Sequence, residues 1–117
     1  MPSNPLDIAE SHSGHVCVVA LKGRVDGTNA DQLMTRLNSL LASGEKTLVV
    51  DFAQVLYLTS AAFHVLLTAT ADARRKTAQL ALCSVLGQVR ELFEMAGLLD
   101  AFTIHGSREE ALARLGS

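Results

Sequence analysis

Three short apolar runs, centred on His15 to Leu21, Leu48 to Phe52 and Leu80 to Cys83, each give way to a stretch whose apolar residues recur at steps of three and four. A continuously apolar run of this length suits a strand covered on both faces, and the steps that follow paint one face of a helix. Strand, loop and helix therefore alternate along the chain. That order predicts an α/β fold with helices packed on a largely parallel sheet.

The helical stretches are read in turn. Ala30, Leu33, Met34, Leu37, Leu40 and Leu41 mark a helix over Ala30 to Ala42, capped by Thr28 or Asn29 and stopped at Gly44. A second helix runs from Ser60 to Arg75, with Phe63, Leu66, Leu67 and Thr70 on one face, and a third from Val85 to Met95, stopped at Gly97. A fourth, Arg108 to Leu115, is announced by Ser107 and Glu110, which have the spacing of a capping box. Upstream, Leu6 to Ser11 reads as a short edge strand paired antiparallel across the Ser13-Gly14 turn, the Gly23 to Gly27 segment as a break, and Phe102 to Ile104 as a last short strand. Four to five strands of mixed direction and about four helices are expected, in a single domain over 1–117.

Aromatic residues are only 4% of the chain and hydrophobic residues 49%, so the core must be built mainly from Leu, Val and Ala. The aromatic platforms of single-stranded nucleic-acid binders are not available. A net charge of −2 supplies no broad basic field for nucleic acid or anionic lipid, and Arg74, Arg75 and Lys76 read as the solvated last turn of a helix. No apolar run approaches the length of a membrane span, and the N-terminus lacks the basic and apolar regions of a signal peptide. Cys17 and Cys83 lie inside apolar runs, as buried, reduced and unpaired thiols do. A cytoplasmic protein is expected.

Catalytic signatures are missing. Gly23-Arg24-Val25-Asp26-Gly27 fits neither nucleotide-binding glycine pattern, and no serine stands in a nucleophile elbow. His12, His15, His64 and His105 show no metal-binding spacing, and His12 and His15 read as exposed residues flanking a turn. No catalytic residue, cofactor or metal ligand is assigned.

The most informative segment is Val55 to Leu67, where an apolar run stops at Thr59 and Ser60 and a helical pattern follows at once. Either hydroxyl is a natural N-cap, a contribution of about 1 kcal/mol over Ala. The same position suits a phosphate, because the helix dipole and free amides favour negative charge there. A phosphoserine adds roughly −1.5 to −2 charges, enough to disrupt a partner surface packed on that spot.

Over nearly its whole length the chain resembles the STAS domains of bacterial anti-sigma factor antagonists. Leu21-Lys22-Gly23-Arg24-Val25-Asp26 is similar to the family's Gly-Glu-Leu-Asp segment, and Leu48 to Phe52 to its central strand. Thr59-Ser60-Ala61-Ala62-Phe63 resembles the Asp-Ser-Ser-Gly-Leu helix start, with Gly97-Leu98, Phe102, Ile104 and Ser107 to Leu112 matching the C-terminal pattern. The resemblance implies that Ser60 is phosphorylated by an anti-sigma factor that is itself a serine kinase, and that a protein phosphatase reverses the modification. Arg24, Asp26, Thr28, Thr59, Ala62, Phe63 and His64 would then belong to the partner-binding surface. Thr59 stands where the family has Asp, Ala61 for the second Ser, Ala62 for Gly and Phe63 for Leu. The expected function is partner switching without catalysis. The alternative is a STAS scaffold that does not cycle through phosphorylation, or an accessory subunit of a larger complex such as a lipid transporter.

Overall fold

The structure, a computed structural model, describes residues 5–116; the sequence reading of residues 1–4 as free of a leader lies outside that range. The elements run β1 (Asp7–Ser13), β2 (Val16–Val25), α1 (Ala30–Ala42), β3 (Thr47–Leu58), α2 (Ser60–Arg75), β4 (Gln79–Cys83), α3 (Gly87–Met95), a single 3₁₀ turn (Leu99–Ala101), β5 (Thr103–His105) and α4 (Arg108–Leu115). The five strands lie in chain order, β1-β2-β3-β4-β5; the first pair is antiparallel and the others are parallel.

This order dictates the layering. Right-handed crossovers that always step in the same direction place every connecting helix on the same face. The buried residues of α1, α2 and α3 accordingly share one core with Cys17, Val19, Leu21, Leu48, Val50 and Phe52 of the sheet. On the opposite face α4 alone packs, through Ala111, Leu112 and Leu115, over Val16, Val18, Val49 and Cys83. Its capping box forms in part: Ser107 Oγ accepts from the Glu110 amide at 3.0 Å, while the Glu110 carboxylate accepts from Gly106 N at 3.1 Å instead of from Ser107. An ion pair with a buried carboxylate ties the helix down, with Arg108 Nε donating to Asp51 Oδ2 at 2.7 Å.

All four phenylalanines gather in one cluster. Phe93 is approached edge-on by Phe52 at 5.9 Å, Phe63 at 4.9 Å and Phe102 at 5.8 Å, an arrangement the ring quadrupoles favour. Both cysteines are buried and free.

Several expected boundaries move. β2 runs through Gly23 to Val25 and does not stop at Leu21, and β3 extends six residues past Phe52 to Leu58. Beyond Phe52 the strand is covered on one face only, which is why its pattern turns from continuous to interrupted. On α2 the buried stripe is Ala62, Phe63, Val65, Leu66, Ala69 and Ala73, and Leu67 is exposed. The alanines allow the helix backbone close to its neighbours, so they and not Leu67 face inward. Val85 is buried but precedes α3, because Ser84 and Gly87 both take positive φ and turn the chain there.

Candidate partner-docking site

The ends of β2 and β3 pair through Arg24 with Tyr57 and Val25 with Leu58, and the Thr59 amide extends the contact by donating to the Val25 carbonyl at 3.0 Å. Two helices start from adjacent strand ends. α1 begins after the Asp26–Asn29 turn and α2 begins directly at Ser60, so the two segments singled out from the sequence meet at one end of the sheet, past the adjacent ends of β2 and β3.

Asp26 is held by its own turn. Its Oδ1 accepts from Thr28 N at 2.9 Å and from Thr28 Oγ1 at 2.6 Å, and these bonds from Thr28, together with the nearby Arg24 charge, hold the carboxyl below its usual range. Asn29, only 1% exposed, brackets the turn from within: its Oδ1 accepts from Asp26 N and its Nδ2 donates to the Arg24 carbonyl, both at 2.9 Å. The sequence offered Asn29 as a helix cap. Instead its side chain closes the turn onto the strand end, and no cap bond forms. Arg24 lies over the Tyr57 ring at 4.8 Å, a cation–π contact that fixes a positive group beside the turn.

Ser60 is exposed at the first position of α2. Thr59 occupies the N-cap with extended backbone, but its side chain makes no cap bond, and the first turn carries no acidic residue. The Ala62 and Phe63 amides donate to the Thr59 carbonyl, at 3.0 and 3.3 Å. The amides ahead of them, those of Ser60 and Ala61, belong to the helix's orphan donors, so the start of α2 is a terminus with uncompensated positive character.

His64, one turn after Ser60, is exposed, whereas Ala62 and Phe63 are buried in the core. The structure thus brings Arg24, Asp26, Thr28, Ser60 and His64 to one surface and turns the side chains of Ala62 and Phe63 away from it. Tyr57 and the buried bracket Asn29 were not singled out in the sequence as parts of the site. The Asp-x-x-Asn spacing is the one local signal for the bracket, and it is a weak one.

Among the described residues no helix is long and apolar enough to cross a membrane. The model of the STAS domain matches residues 7–111. BtrV of Bordetella bronchiseptica, provisionally named an anti-sigma factor antagonist, is 35% identical over 96 residues, 82% of this chain and 83% of its own. An anti-sigma factor antagonist from Mycobacterium paratuberculosis superposes with a TM-score of 0.81 at 20% identity, over 96% of this chain and 95% of that one. The Bacillus cell fate determinant SpoIIAA in its phosphorylated form superposes with a TM-score of 0.72 at 17% identity, over 93% and 99%. With the family model covering both strand ends and both helix starts of the site, this chain belongs to the STAS domain family, that of the bacterial anti-sigma factor antagonists.

Proposed function

We propose that the protein is a partner-switching regulator: unmodified, it binds a serine-kinase anti-sigma factor through the surface around Ser60 and Asp26, and phosphorylation of Ser60 by that kinase releases it. The observation that carries this reading is the exposed Ser60 hydroxyl at an uncapped helix start beside a fixed Asp26 and Arg24. A phosphate there gains the helix dipole and free amides, so the modified protein keeps its fold. Its charge then acts on the partner and not on the domain. The phosphorylated form of SpoIIAA, a protein of the same fold, is consistent with such a modification.

Ala62, where the family has glycine, is fully buried, so its methyl group adds no bulk to the proposed docking surface. No catalysis is assigned to the chain itself; ATP and the transfer chemistry come with the kinase, and a phosphatase restores the binding form.

The test is binding and phosphorylation with the cognate kinase. Ser60→Asp is expected to bind more weakly than the parent, and Ser60→Ala to bind as the parent does while taking no phosphate, read by intact mass. If folded Ser60→Asp binds as tightly as the parent, charge at this position does not govern docking, and the non-cycling scaffold becomes the better reading.

A further inference from the structure

At the end of the sheet opposite Ser60, three different metal-binding side chains from three chain segments converge. His12 on β1 and Cys17 on β2 are direct partners in the antiparallel register, so their side chains leave the same face of the hairpin. Glu45 arrives from the loop after α1. Gly44, at φ 101°, turns the chain there, and the Glu45 amide donates back to the Leu40 carbonyl at 3.1 Å, which fixes where Glu45 emerges. The Cys17 sulfur, a His12 ring nitrogen and a Glu45 carboxylate oxygen all lie within 4.8 Å of one another.

We propose that His12, Cys17 and Glu45 form a zinc-binding clip that pins the β1–β2 hairpin to the α1–β3 loop. A thiolate, an imidazole and a carboxylate make a donor set suited to Zn²⁺, with water completing the tetrahedron. Tetrahedral Zn–S and Zn–N bonds of about 2.3 and 2.0–2.1 Å put ligand atoms roughly 3.3–3.6 Å apart, so the longest separation closes by about 1 Å while the His12–Glu45 pair opens by about 0.5 Å. His12 and Glu45 already touch at 2.8 Å, and His12 is half exposed, so the ion enters from solvent between them and a water can hold the fourth position. Two metal bonds replace that hydrogen bond. The Cys17 proton leaves to solvent as the Zn–S bond forms.

The experiment uses the full-length chain, reduced and freed of metal by a chelator, titrated with Co²⁺ and then with Zn²⁺. Expected are a thiolate-to-cobalt charge-transfer band saturating at one equivalent, its displacement by one equivalent of Zn²⁺, and a rise in Tm with zinc. His12→Ala and Glu45→Gln should each weaken binding by at least about tenfold, Cys17→Ser should abolish the band, and His15→Ala should change nothing. Cys17 is buried and its variant can lose stability, so the two more exposed ligands, His12 and Glu45, decide the outcome. Absence of the thiolate band in the parent, or a band of unchanged affinity in His12→Ala or Glu45→Gln, overturns the proposal and leaves the His12–Glu45 hydrogen bond only.

Discussion

Thr59 stands at the N-cap of α2, yet its hydroxyl makes no cap bond and is buried without a partner among the described residues. A buried, unsatisfied hydroxyl costs about 1–3 kcal/mol, whereas a methyl group in the same place costs nothing polar. Thr59→Val, which keeps the β-branch and suits the extended backbone, is therefore expected to be neutral to about 1 kcal/mol stabilising in urea denaturation. A capping threonine would show the opposite sign, a loss of about 1 kcal/mol. Ser60 likewise gives up no cap bond: Ser60→Ala should stay within about 0.5 kcal/mol of the parent, as surface substitutions away from special features do. Ser60→Asp places a carboxylate in a first turn that lacks one, worth about 0.3–1 kcal/mol in its favour. Binding changes in these variants can then be read without correction for unfolding. The sequence placed both hydroxyls at a helix start correctly, but which of them is used, and for what, depends on how tightly the neighbouring strand end packs on Thr59.

At the level of elements, the cores of the strands were legible and their far ends were not. Gly23 to Val25 read as part of a break and the central strand candidate ended at Phe52, yet Gly23 to Val25 and residues 53–58 belong to β2 and β3. A strand that leaves the shelter of α4 needs apolar residues on one face only, and Val25, Val55 and Leu58 supply them. Gly23 was read as a break for a sound reason and is in fact a register shift. The β2–β3 ladder slips between Ala20 and Lys22 and again between Gly23 and Arg24, and Gly23 takes φ 96°. That backbone carries Arg24 and Asp26 to the proposed docking surface. A methyl group at Gly23 would meet no other atom within 4 Å, so the cost of Gly23→Ala is conformational alone. A loss of about 1–2 kcal/mol is expected, with binding to the proposed kinase partner weakened beyond what the unfolded fraction explains. Unchanged stability in this variant would mean that the slip is not needed to hold the turn.

Across the whole molecule the sheet carries one buried thiol on each side, Cys17 beneath the α1–α3 layer and Cys83 beneath α4, and this arrangement sets how the fold responds to alkali. The two-layer division was not visible in the sequence, since both cysteines sit in similar apolar runs; it follows from strand parity and from the crossing of α4 to the back face. Burial, with the Asp51 carboxylate beside it, raises the Cys83 thiol from 9.0 to about 11. The folded state therefore keeps this proton over a window in which the unfolded chain has released it. Stability from this group is complete below about pH 9 and falls as the pH rises towards 11, by up to about 1.4 kcal/mol per unit. Cys17, raised to about 11 by its own burial and by Glu45 and Glu10, acts in the same direction from the other face. The measurement that isolates Cys83 is a difference. Urea denaturation of the parent and of Cys83→Ala between pH 7 and 11 should show the variant less stable at neutral pH through lost packing, with the gap closing as the pH rises. A gap that stays constant over the whole range would show that the Cys83 proton is not held by the fold.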